Sequence, residues 1–161
     1  MVRGHIVVAV IVLIVSSCLA QQEPTSTTSC YLDDGRQVYI RYNPATTKTL
    51  KVSNGKPLLP GGAAMTLFTE APLTFAGAAI PLGAYTVYPI PEKGKWTLAI
   101  NKNVTPGAAY DEKQDLARST VETDEVPEQQ ALEVAFAHTD SRCTLRIVLG
   151  KTATFSEFIA H

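Results

Sequence analysis

Asp111, Glu112 and Asp115, with Arg118 close behind, form the densest group of ionisable side chains in the sequence. On a helical turn, the four-residue spacing of Asp111 and Asp115 would set both carboxylates on one face, where they could hold a hard cation. The segment lacks the alternating Asp or Asn ligands, central Gly and terminal Glu of a calcium loop. No His and Cys cluster has the spacing of a zinc site. The plainer expectation is a solvated loop in which Asp115 pairs with Arg118, with no metal and no cofactor.

Beyond the N-terminal region only His138 and His161 remain as histidines. His138 ends the row Leu132, Val134, Phe136, which places it at a strand end near the surface. Ser119, Ser141 and Ser156 lie in no nucleophile motif. A hydrolase would therefore have to draw on Asp111, Asp115, Arg118 and His138. Tyr39, Tyr85, Tyr88 and Tyr110 could stack on sugar rings if two or three shared an exposed face, although strand aromatics more often serve packing. The side chains named for binding are thus Tyr85, Tyr88, Asp111, Asp115, Arg118 and His138. Catalytic residues are not assigned.

Strands must position these groups. Gln37 to Tyr42 alternates Val38, Ile40 and Tyr42 against Gln37, Tyr39 and Arg41, the period of a half-buried strand. Similar patterns predict strands at 65–69, 73–76, 83–90, 96–102, 118–122, 131–138, 142–149 and 151–158, separated by turn formers such as Pro91 to Lys95 and Asp140-Ser141. In the 83–90 strand Tyr85 and Val87 share one face, and Ala84, Thr86, Tyr88 and Ile90 the other. Trp96, Leu98 and Ile100 share a face of the next strand, which predicts Trp96 in the core. Pro89 has no amide donor, so its strand is expected to lie at an edge or break there. Tyr110 to Leu116 can supply a turn or two of helix, and the acidic run Glu122 to Glu128, with Pro127, reads as a loop. The pattern predicts an all-β fold: an antiparallel β-sandwich of about eight to nine strands, with a small β-barrel as the alternative.

Composition narrows the partners. In 161 residues, 14 Lys and Arg face 15 Asp and Glu, so no basic field exists to hold nucleic acid. The 45% apolar content with 10 Gly and 10 Pro suits a turn-rich β domain. Near the N-terminus Arg3 precedes an apolar run from Ile6 to Val15 and then Ser16-Ser17-Cys18-Leu19-Ala20, the form of an export signal over 1–20. The run falls short of the roughly 18 to 20 residues a membrane span needs. Cleavage after Ala20 and lipidation of Cys18 are both open. Residues 21–29 read as a polar tether and 30–161 as a single domain.

With Cys18 removed or acylated, Cys30 and Cys143 remain as an even pair in a chain sent to an oxidising compartment, and a disulfide between them is expected. Two separate thiols are the alternative. The localisation expected is periplasmic or extracellular, with membrane contact only through the signal peptide or a lipid anchor.

The stretch Pro81-Leu82-Gly83-Ala84-Tyr85-Thr86-Val87-Tyr88-Pro89-Ile90-Pro91, with Trp96-Thr97-Leu98-Ala99-Ile100-Asn101-Lys102 and Tyr110-Asp111-Glu112-Lys113-Gln114-Asp115-Leu116-Ala117-Arg118, resembles an exported bacterial family, the domain-of-unknown-function family numbered 2911. The segments Gly61 to Thr69, Cys143 to Ile147 and Gly150-Lys151-Thr152 are similar as well. The resemblance spans roughly Cys30 to Phe158. It implies an exported β-rich domain and supplies no catalytic residues. Many members carry Trp-Arg-Thr-Gly-Ala-Asn before the Thr-rich strand, whereas this chain reads Leu58-Leu59-Pro60-Gly61-Gly62-Ala63-Ala64 there. A polar site built by that segment is not carried over.

The expectation for function is a non-catalytic binding module for a small molecule, a glycan or an envelope partner. A hydrolase and a structural envelope protein are the alternatives.

Overall fold

The computed structural model describes residues 25–161, so the segment read as an export signal, Cys18 and the first part of the segment read as a tether lie outside the described residues. The strands run in chain order as β1 (Ser26–Tyr31), β2 (Gln37–Tyr42), β3 (Met65–Thr69), β4 (Leu73–Phe75), β5 (Ala78–Ile80), β6 (Gly83–Glu92), β7 (Lys95–Asn101), β8 (Asp115–Thr139) and β9 (Arg142–Ala160). They form one antiparallel sheet in the order β1-β2-β3-β6-β7-β8-β9-β4-β5. β1 and β5 stand at its two edges, so the sheet does not close into a barrel.

The sheet folds over because β8 serves two partners. Asp115 to Val121 pair with β7, and Glu122 to Thr139 pair with β9. One layer therefore holds β1, β2, β3, β6, β7 and the start of β8, and the other holds the rest of β8 with β9, β4 and β5. Alternation along each strand turns one set of side chains into the space between. The row Met65, Val87, Ile100, Ala117 crosses four strands of the first layer residue for residue, and Leu132, Val134, Leu145, Ile147 and Phe158 meet it from the second. Each aliphatic side chain so buried contributes about 1.5–3 kcal/mol. A disulfide between Cys30 of β1 and Cys143 of β9 ties the layers together within this core.

Several expectations change. Ser26–Tyr31 is a strand, so the second half of the segment read as a tether belongs to the sheet. The run Glu122 to Glu128 is strand rather than loop; register shifts between Glu125, Gln129 and Glu133 absorb Pro127 without ending β8. The strands expected at 142–149 and 151–158 join through Gly150, whose φ of 60° lets β9 bend without stopping. Trp96 lies beside the core, half-buried.

Pro89 neither breaks β6 nor lies on a sheet edge, because β6 runs between β3 and β7. Pairing with β3 ends at Val87, and beyond it the segment 53–58 takes over. The Leu58 amide donates to the Pro89 carbonyl at 2.8 Å, and the Gly55 amide to that of Pro91 at 2.7 Å. In a strand the N–H and C=O of one residue point to the same side. The amides that both prolines lack would have faced this loop, so the ladder to β7 loses nothing.

Candidate functional site

The outward face of the first layer carries a polar row. Arg41, Thr66, Thr86, Asn101 and Asp115 stand opposite one another across β2, β3, β6, β7 and β8. The row reaches Asp115 through a bulge: Ile100 faces Ala117, but Asn101 faces Asp115, leaving Leu116 as the extra residue. Leu116 and Ala117 both turn to the core in consequence, and the carboxylate is aimed outward.

Around Asp115 the polar groups engage one another. Its side chain is only 8% exposed. Asn101 Nδ2 donates to Asp115 Oδ1 at 2.8 Å and to the Asp111 carbonyl at 2.9 Å, and the Tyr110 hydroxyl donates to Asp115 Oδ2 at 2.6 Å. Arg118 Nη1 donates to that same hydroxyl at 3.1 Å and pairs with Glu112 Oε2 at 2.7 Å, with Asp115 Oδ2 at 3.8 Å. Burial first, then the hydrogen bond to Asp115, raises the Tyr110 phenol well above its ordinary range. It stays protonated and donating.

Asp111 and Asp115 do not share a helical face. Only a single 3-10 turn, Glu112–Gln114, forms between them. Asp111 caps it by accepting from the Lys113 amide at 3.0 Å, with Gln114 Nε2 on its other oxygen at 3.2 Å. Among the described residues no three His, Cys, Asp or Glu side chains gather where they could hold a metal ion.

The Tyr110 ring folds down on Tyr88, with centroids 4.6 Å apart and planes tilted by 56°. Tyr88 and its neighbours Ile90 and Ala99 form a small second apolar cluster on the outer face. Beside it opens a cleft of about 580 Å³ between the 56–64 and 104–110 segments. Thr66, Thr86 and Tyr88 line it from the sheet, and Tyr110 from the second loop. Leu59 on one segment and Val104 on the other are 42% and 46% exposed, giving the cleft apolar side chains from both loops. Thr86 Oγ1 donates to the Asn103 carbonyl at 2.9 Å, which fixes the start of the second loop. A depression of about 460 Å³ between the β4–β5 connection and β8–β9 also exists, lined by Phe75, Ser119, Thr120 and Glu157 among others, away from the Asp115 network.

Of the side chains named for binding, Tyr88, Asp111, Asp115 and Arg118 come together. Tyr85 does not: it points to the core, where its hydroxyl donates to the Pro81 carbonyl at 2.9 Å. His138 lies exposed near the other end of β8, opposite Cys143. Tyr88 is 3% exposed beneath Tyr110, so it offers no open platform for a sugar ring. Tyr39 instead stacks on Phe68 at 4.8 Å under Arg41. Asn101, Tyr110 and Glu112, absent from the binding set, are central to the network. A buried Asn at the end of the apolar run Leu98-Ala99-Ile100 was the available signal, because a polar group so placed must find partners.

An antiparallel β-sandwich with a cleft on one outer face thus defines the class of protein. The chain belongs to DUF2911, a family described as protein of unknown function, whose model matches residues 25–155. No curated protein and no solved structure matches it.

Proposed function

We propose that this protein is a non-catalytic binding module whose ligand, a small organic molecule, occupies the cleft between Leu59 and Val104 on the outer face. The observation that carries this reading is the cleft itself, concave, walled by Tyr110 and bordered by exposed apolar side chains, with the Asp115 network bracing that wall from behind. The polar groups of the network are occupied with one another, which suits support of a wall better than proton transfer. A thermal-shift and NMR fragment screen tests the reading, run on the wild type and on Ala63→Trp. Ala63 is an exposed residue of the cleft in extended backbone, φ −126°, so the indole fills the space without strain. Hits on the wild type that vanish in Ala63→Trp are expected. A wild type that binds nothing at millimolar concentration overturns the proposal.

We further infer export to a periplasmic or extracellular compartment. The apolar N-terminal segment and the core disulfide support it, and among the described residues no helix is long and apolar enough to cross a membrane. The intact mass of the protein from its native host distinguishes cleavage after Ala20 from acylation at Cys18, and an unprocessed Met1 terminus excludes both.

A further inference from the structure

We propose that the occupant of the cleft is an organic anion, a flat or extended apolar body lying against Tyr110 between Leu59 and Val104 with one negative group held at Lys56. This rests on the cleft being the binding site, as argued above.

Among the described residues Lys56 is the only side chain of formal charge that lines the cleft. It lies exposed on the first loop, and among the described residues it takes part in no salt bridge. No described residue therefore neutralises its ammonium. A neighbouring groove of about 470 Å³ shares Lys56 and Leu59 with the cleft and adds Lys51, so the charge on this flank is of one sign. The nearby acids are engaged with other groups: Asp111 caps its own 3-10 turn, Glu112 pairs with Arg118, and Asp115 accepts from Asn101 and Tyr110. The remaining lining is alanine, proline, threonine and glycine with the rings of Tyr88 and Tyr110, which accepts an apolar body and offers few polar partners to a sugar. A carboxylate at Lys56 gains a charge-assisted hydrogen bond at the mouth while its apolar part loses contact with water.

Calorimetric titration of the purified protein with 2-naphthoate, methyl 2-naphthoate and 2-naphthylmethylammonium tests the assignment. The carboxylate should bind one per chain, the neutral ester about five- to tenfold more weakly, the ammonium more weakly still. Lys56→Gln should bring the carboxylate to the level of the ester and leave the ester unchanged. Lys51→Gln should change neither. Ester and carboxylate binding alike in the wild type, or a carboxylate indifferent to Lys56→Gln, overturns the anionic assignment while leaving the cleft as a site. A Lys51→Gln effect equal to that of Lys56→Gln also overturns it, by showing diffuse attraction. Failure of all three probes overturns the anionic assignment, and the cleft itself then stands or falls by the fragment screen.

Discussion

Asn101 and Asp115 face each other across β7 and β8 because Leu116 is the surplus residue of a bulge. In an unbulged ladder the partner of Asn101 would be Leu116. Asn101 is 1% exposed and reaches two acceptors, so its amide joins the end of β7, the loop before β8 and the first residue of β8.

Replacing Asn101 by Ala leaves the buried side of Asp115 short of a donor and opens a gap beneath the Tyr110 wall. A loss of about 1–3 kcal/mol is expected in urea unfolding. Asp115→Asn keeps an acceptor for the Asn101 amide and should cost less than Asn101→Ala.

Tyr110 gives the chain a dependence on alkaline pH. Its pKa in the folded protein is raised above the ordinary value of 10.0, first by burial. The neutral phenol is the form the fold favours, so its contribution is complete below about pH 10 and is lost as pH rises towards the native pKa. Above about pH 10 urea midpoints should fall more steeply for the wild type than for Tyr110→Phe. Absorbance at alkaline pH should show fewer tyrosinates forming in the native wild type than after unfolding, since burial raises the Tyr85 phenol as well as that of Tyr110.

Cys30 and Cys143 are 113 residues apart in sequence. Closing so long a loop stabilises by about 4–5 kcal/mol in the chain-entropy model. The Cys30→Ala, Cys143→Ala double variant should lose about 2–5 kcal/mol, measured by thermal or urea unfolding.

Gly61 and Gly62 both have positive φ, 59° and 81°, yet they differ in surroundings. A Cβ at Gly61 would come within 2.7 Å of Asn43 Cβ, whereas one at Gly62 meets nothing within 4 Å. Gly62→Ala should cost about 1 kcal/mol from backbone strain. Gly61→Ala adds a clash and should cost about 2 kcal/mol or more.

His138→Ala is the control. The side chain is exposed and far along β8 from Asp115, so stability should stay within about 0.5 kcal/mol. Affinity for 2-naphthoate should not move, and a loss of binding would show that the site extends to this end of β8.

Where one face of a strand is apolar, the sequence declares it. Gln37 to Tyr42 and Met65 to Thr69 are legible to the residue, and β6 and β7 to within two residues, because alternation fixes which side chains meet the core. β1 escaped notice because Ser26-Thr27-Thr28-Ser29 has no apolar face until Cys30; its place comes from pairing with β2 and from Thr28, whose hydroxyl accepts the Phe136 amide at 3.1 Å. β5 is three residues long and follows Ala76 and Gly77, both at positive φ, too brief to show a period. Pro127 and four acids hid the middle of β8, where the outward face is all solvent. In the site, parity separated Tyr85 from Tyr88 in advance. The meeting of Asn101 with Asp115 was not legible, since it depends on a one-residue slip that no local pattern announces.

The bond between Cys30 and Cys143 also sets a condition on biosynthesis. A chain growing from its N-terminus makes β1 first and must hold one thiol unsatisfied while the next 113 positions are added. Until β9 emerges, Cys30 of β1 has no sulfur partner in the opposite layer, and a truncated product exposes a reactive sulfur that the complete one conceals at 2% exposure. In an oxidising compartment, thiol-directed quality control can thus recognise an unfinished molecule by a single atom.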